Sequence, residues 1–212
     1  MRFSLLETLV ATVLDDLDDH LVYSTDNLQN AITEAEVAIV ALRPDASLEV
    51  QNYICVSGVA QKIASTYNRI LGIPRNKNGR AIRLVQRESL DAANPNWVTI
   101  AASAVIKEVM FDDRAPLEFF VYPPAKAGVE IEVHASKNQP IYDFNTNPNL
   151  IINDIYKPHV IEYALYRLFS RDGDNTPNPQ RAMNHLANFQ NLMGLKIQSD
   201  QGISIKNKTD QR

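Results

Sequence analysis

The residues able to do chemistry in this 212-residue chain are four histidines, one cysteine and a few runs of charge. His20, His134, His159 and His185 lie far apart, and none pairs with another histidine or a carboxylate in a zinc-type motif. The chain has no Gly-x-Ser-x-Gly elbow and no glycine-rich phosphate loop, so neither a serine hydrolase nor a nucleotide site is signalled. Cys55 sits in the apolar run Tyr53-Ile54-Cys55-Val56, which suits a small buried hydrophobe in a strand better than a nucleophile. A lone cysteine also rules out an intrachain disulfide framework or a thiolate cluster. Asp15-Asp16-Leu17-Asp18-Asp19 lacks the alternation and terminal glutamate of a calcium loop and reads as a solvated helix end. Asp172-Gly173-Asp174-Asn175 reads as a turn between helices. No catalytic, cofactor-binding or metal-ligating residue is assigned, and the reading is not an enzyme.

The basic residues Arg69, Arg75, Lys77, Arg80 and Arg83 form the one local concentration of positive charge. Two readings stand for Arg75, Lys77, Arg80 and Arg83: a solvated hairpin face, or a patch facing an acidic partner or the backbone of passing DNA. The formal net charge of −4 argues against tight binding to nucleic acid without regard to sequence, because such binding neutralises phosphates with basic residues. Aromatic residues, at 8%, are not interleaved with basic ones as in RNA-binding motifs. No apolar run approaches the roughly 20 residues that span a bilayer, and the N-terminus does not read as a signal peptide. The expectation is a soluble protein made inside a cell, without a membrane partner.

The elements that must position these residues are helices at both ends around a strand-rich middle. Ser4-Leu5-Leu6-Glu7 fits a capping box, and Leu6, Leu9, Val10, Val13, Leu14 and Leu17 recur at helical spacing, predicting a helix over 4–17. A second helix starts near Ser24 or Thr25, with Leu28, Ile32, Ala35, Ile39 and Leu42 on one stripe and Gln29, Glu34 and Glu36 away from it. It must stop by Arg43, because Pro44 disfavours helical geometry in the residue before it. Strands are expected over 49–56, 71–74, 81–85, 108–111, 117–122 and 129–134, mostly antiparallel, with Asn78-Gly79 as a hairpin turn. The run Glu118-Phe119-Phe120-Val121-Tyr122 is too apolar to alternate, which suggests burial on both faces, and Pro123-Pro124 is expected to end it.

Helices return after Asn153. Ile161, Ala164, Leu165, Leu168 and Phe169 mark one face, and Asn178-Pro179 reads as an N-cap with proline at the first helical position. Ala182, Leu186, Phe189 and Met193 make the last stripe, and Gly194 reads as its terminator. The polar remainder from Leu195 reads as a flexible tail. The expected division is therefore 1–47 for N-terminal helices, 48–150 for a β-rich lobe, 151–194 for C-terminal helices and 195–212 for the tail.

A succession of motifs carries a resemblance. It runs from Leu42-Arg43-Pro44-Asp45-Ala46 through Gly79-Arg80-Ala81-Ile82-Arg83, Leu90-Asp91-Ala92, Pro95-Asn96-Trp97 and Phe111-Asp112. Phe120-Val121-Tyr122-Pro123-Pro124-Ala125 follows, then Asp154-Ile155-Tyr156, Tyr163-Ala164-Leu165-Tyr166-Arg167 and Ser170-Arg171-Asp172. Over roughly residues 4–194 this order resembles the head-to-tail adaptor, or connector, proteins of tailed phages, with Tyr23 where that family often has tryptophan. The resemblance implies an α+β fold: a helical bundle made from the terminal segments, with an inserted antiparallel β-rich lobe. It implies a structural virion protein at the head-tail junction, made in the host cytoplasm, in a homo-oligomeric ring of about twelve copies. Its partners would be the portal protein on one face, the tail tube or nozzle protein on the other, and genomic DNA in transient contact within the channel. The ring would aid retention and passage of DNA. Ile197, Ile203, Ile205 and Arg212 are the candidate portal-docking residues, with Ile203-Ser204-Ile205 adding to a strand edge. A frayed terminus is the plainer reading of the same tail. The competing function is a tail-fibre or tail-accessory binding module, whose strand-rich middle engages a receptor or fibre.

Overall fold

The computed structural model describes residues 1–14, 23–171 and 179–203. The acidic run 15–19, His20, the turn 172–175, Ile205 and Arg212 lie outside the described residues. The chain is mixed α and β and divides into two compact units, Met1–Leu42 with Ile141–Arg212, and Arg43–Pro140. Among the described residues no helix is long and apolar enough to cross a membrane.

The first unit is helical: α1 (Phe3–Leu14), α2 (Thr25–Leu42), α4 (Lys157–Arg171) and α5 (Pro179–Ile203). The fourth helix packs against each of the other three. Its face is Val160, Ala164, Leu165, Leu168 and Phe169, with Ile161 only half-buried at its side. Burying such a side chain fully is worth about 1.5–3 kcal/mol, so this stripe is the main cohesive surface of the unit. Pro158 sits in the first turn, where its missing N–H costs nothing. Phe3, Leu6 and Val10 are the buried face of α1, while Val13, expected inside, is exposed. Leu42 is likewise exposed at the end of α2, and Tyr23 is buried just before that helix.

Two expectations fail here. Glu36, placed by its charge on the outer face of α2, is fully buried. Gly194 does not end α5, which continues to Ile203 through the start of the expected tail. A glycine inside a helix costs only about 1 kcal/mol. Gly194 keeps an ordinary φ, and the Lys196–Asp200 ion pair at 2.6 Å, one turn apart, supports the helix beyond it.

The second unit holds seven strands in two sheets. β1 (Leu48–Ile54), β7 (Glu130–Lys137) and β3 (Tyr67–Asn76) form one sheet in that spatial order. β2 (Gly58–Lys62), β6 (Glu118–Ala125), β5 (Glu108–Phe111) and β4 (Arg83–Leu84) form the other. Between them lie Cys55, Ile63, Ile70, Ile73, Ile106, Val109, Phe119, Val121, Ile131 and Val133. Asn76 is buried among them and is satisfied on both sides of its amide: Nδ2 donates to the Ile106 carbonyl at 2.8 Å, and Oδ1 accepts the Ile106 N–H at 2.9 Å. The Asn78-Gly79 turn forms as expected, with Gly79 at φ +92 and its N–H donating to the Asn76 carbonyl.

Four features depart from the sequence reading. β2 was not anticipated, because its register breaks between Gly58 and Ala60 and blurs the alternation. The helix α3 (Arg87–Ala93) was also missed, being too short to show a period. It lies in a long connection that lets β4 run parallel to β5, where antiparallel pairing was expected. Pro123 and Pro124 lie inside β6 instead of ending it. They contribute carbonyls only: Ser103 N–H donates to Pro124 O at 2.8 Å, so no N–H is missed.

Candidate interaction site

In the strand-rich unit a groove of about 1050 Å³ opens along β4, the start of α3 and the β5–β6 pair. Leu84, Val85, Met110, Phe111 and Phe120 give it an apolar lining, and Arg87, Glu88, Asp112, Arg114 and Glu118 bring charge to it. Its lining follows from strand alternation. Phe119 and Val121 point into the core of the unit, so Phe120 must point the other way and is half-buried. Leu84 is 64% exposed. The run read as buried on both faces thus has one fully buried face and one that lines the groove.

Beneath the lining, Leu90, Trp97 and Met110 form a small core of their own. The Trp97 indole N–H donates to the Asp91 carboxylate at 2.6 Å, which satisfies the polar end of a buried aromatic. Asp91 also lies 3.6 Å from Arg87, whose guanidinium stands 5.3 Å from the centre of the Phe120 ring. Across the groove Arg114 grips Asp112 through side chain and backbone, with contacts from 2.6 to 3.2 Å. Those bonds lower the Asp112 carboxyl to a pKa of about 2. The arrangement suits binding an apolar segment between fixed charges. From the sequence motifs, Phe111, Asp112 and Phe120 line this groove, and Leu90, Asp91, Trp97 and Tyr122 belong to its floor.

The other motifs resolve into structural devices. Arg43 makes a two-pronged bond to Asp45 around the Pro44–Ser47 turn, with Nε at 2.8 Å from Oδ1. Arg167 and Arg171, one turn apart on α4, both pair with Glu34 of α2. Glu36 accepts the Tyr142 hydroxyl at 2.7 Å on one oxygen and the Ile151 and Ile152 amides at 2.7 and 3.4 Å on the other. Burial first, and then the Glu36 bond, pushes the Tyr142 phenol far up, so it remains a donor.

The other residues singled out by their type or charge have ordinary surroundings. Arg75 lies 3.9 Å from Glu132, Lys77 pairs with Glu130, and Arg83 pairs with Glu108. Arg80 is exposed, and among the described residues no carboxylate pairs with it. The basic concentration is thus largely matched by acids on adjacent strands. Ile197 is half-buried on α5, and Ile203 is the last residue of that helix. Cys55 is buried, and its thiol is pushed up to about 11 by burial, which suits an inert packing residue. His185 bonds Glu162 at 2.8 Å and His134 bonds Glu132 at 2.9 Å. Among the described residues no three metal-ligating side chains come together. The groove residues Leu84, Arg87 and Met110 escaped the sequence reading; an excess of apolar residues in β6 was the only available signal.

The SU10 adaptor protein model matches residues 1–207. The chain belongs to that family. This is a family of phage adaptor proteins, in agreement with the resemblance carried by the motifs, and it gives the chain a structural role as a virion component. No curated protein matches the chain.

Proposed function

We propose that this adaptor-family chain is the repeating subunit of a ring of about twelve copies between the portal and the tail of the phage, acting structurally and not as an enzyme. The match to the adaptor family over residues 1–207 carries the reading. The apolar groove beside Phe120 supports it, since an assembly subunit needs concave surfaces that take segments of neighbours. In this reading the portal receives the C-terminal end, through Ile197, Ile203, Ile205 and Arg212, while the strand-rich unit meets the tail tube or nozzle. Arg80, exposed and without an acidic partner among the described residues, is the member of the basic group best placed to touch DNA in transit. The ring would hold the genome in place and let it pass. Assembly would begin in the host cytoplasm and end at the head-tail junction.

Counting this protein against the portal by quantitative mass spectrometry of purified virions tests the reading. A ratio near one to one is expected. Copy numbers in threefold multiples would instead favour the fibre module, and absence from the virion would overturn the connector role.

A further inference from the structure

The two sheets of the strand-rich unit end in four edge strands, and three of them are blocked. β4 is only two residues long. β2 carries a register break between Gly58 and Ala60, and Lys62 beside it. β3 is interrupted by three register shifts, and loops occupy its outer side: Ile70 N–H donates to Pro116 O, and Ile82 N–H to Pro74 O, both at 2.9 Å. Short length, bulges, charges and covering loops are the usual means of stopping one sheet edge from pairing with another.

β1 is neither short, bulged nor covered by a loop among the described residues, and its one charge, Glu49, is drawn to Lys137 of β7 at 3.2 Å. Its seven residues, Leu-Glu-Val-Gln-Asn-Tyr-Ile, include no lysine, arginine, proline or glycine, and pair with β7 without a shift. The alternation is also inverted: Leu48, Val50 and Ile54 are 48%, 56% and 63% exposed, while the neighbouring Glu49, Gln51 and Tyr53 are half-buried. A strand whose apolar set faces outward is unusual, because a slip of one residue would have buried it.

Backbone direction follows from the end of the strand. Cys55 N–H donates to Val129 O at 2.7 Å, and Gly128 N–H donates to Cys55 O at 3.0 Å, so Cys55 faces β7. By alternation Tyr53, Gln51 and Glu49 face β7 as well, and Val50, Asn52 and Ile54 present their N–H and C=O groups to the open edge. Val56, in step with that outward set, is capped by the Gln61 side chain through two bonds of 2.9 Å. The cap stops there, and among the described residues nothing bonds to the outward groups of Val50–Ile54.

We infer that β1 pairs antiparallel with β1 of a second copy of this chain, across a two-fold axis at Gln51. In that register Leu48 meets Ile54, Val50 meets Asn52, and Glu49 meets Tyr53. The one charged residue of the strand never opposes itself. Parallel in-register pairing would stack Glu49 on Glu49, and like charges directly opposite are destabilising. The apolar side chains of the two copies then form one continuous row, and two three-stranded sheets become one. A two-fold contact is isologous and closes on itself, so it cannot propagate into a ring. The pair is therefore a form of the free chain, separate from ring contacts. Edge pairing alone falls well short of the ~1,600 Å² of a standard stable interface, which puts it in the weak, reversible class. Such a pair shields the open edge before assembly and yields to stronger contacts afterwards.

The test uses the purified 212-residue chain and does not depend on the adaptor-ring reading. Sedimentation across a concentration series should show the mass rising from 23.8 kDa toward twice that value and no further. Val50→Lys, an exposed substitution, should weaken the association about tenfold or more at unchanged circular dichroism. In the pair, Gln51 faces its symmetry mate at a non-hydrogen-bonded position, with Cα atoms about 4.5 Å apart. Gln51→Cys should then form a disulfide-linked dimer under mild oxidation, whereas Val98→Cys, exposed elsewhere, should not. A mass fixed at 23.8 kDa, association continuing past two copies, or equal cross-linking of the two cysteine variants would overturn the proposal.

Discussion

Glu36 in the helical unit and Lys77 on the hairpin of the strand-rich unit are both charged residues with defined partners, yet their surroundings differ completely. Glu36 is sealed from water and gathers the Tyr142 phenol and the Ile151 and Ile152 amides. Lys77 holds Glu130 at an exposed surface, on the same sheet as the Arg75–Glu132 pair. A buried polar group left without its partner loses its full solvation, whereas an exposed one exchanges its partner for water. Charge in the helical unit therefore positions a chain segment. Charge on the hairpin mainly keeps a strand edge soluble.

The largest expected effect comes from Glu36→Ala, which orphans the Tyr142 hydroxyl and the Ile151 and Ile152 amides and leaves a small void. A loss of about 3–5 kcal/mol in urea unfolding is expected. Glu36→Gln should cost less, about 1–2 kcal/mol, because its carbonyl still accepts the amides and its NH2 can donate to the phenol oxygen. If the alanine variant unfolds at the wild-type midpoint, the contrast between buried and surface charge collapses.

That contrast also explains what could be read from the sequence. Periodicity located four of the five described helices and most of the strands, since Leu6, Ile32, Leu165 and Phe189 have no better place than a core. It failed where a residue type is usually solvated. Glutamate on a helix is nearly always outside, so nothing local marks Glu36 as buried; its partners lie more than a hundred positions away. The groove was obscured for a related reason. Phe120 and Leu84 look like core residues in isolation, and only the pairing of β4 with β5 shows that one face stays open. Gly194 misled in the opposite direction, because a weak local preference was overruled by the helix on either side of it.

His159 sharpens the comparison by being buried in the helical unit without full compensation. Among the described residues neither ring nitrogen has a well-formed hydrogen bond; the Leu192 carbonyl offers weak support, and the Tyr156 ring stands edge-on at 5.4 Å. Burial lowers its pKa, and the neighbouring Lys196 lowers it further. Lys196 itself is held by Asp200 at 2.6 Å. A histidine with a depressed pKa contributes stability that is complete above about pH 6.5 and is lost as the pH falls through the folded-state value, because the unfolded chain takes up the proton first. The melting temperature should therefore fall on acidification below that point, and His159→Leu should flatten this part of the profile. Identical pH profiles for the two proteins would mean that His159 is solvated and that the buried-charge contrast rests on Glu36 alone.

The smallest expected effect belongs to the hairpin. Lys77→Gln removes the pair with Glu130, and Arg75→Gln removes the pair with Glu132; both basic residues are well exposed and neither acid is deeply buried. Each change should shift unfolding free energy by about 0.5 kcal/mol or less, and salt should shrink that difference further. The near-null result is informative because the same substitutions strip positive charge from the patch that includes Arg80. If stability holds while phage assembled with these variants release DNA at an altered rate, the hairpin charges act on a partner and not on the fold. A loss above about 1.5 kcal/mol from either change would place the hairpin pairs in the same class as Glu36, and the distinction between the two units would fall.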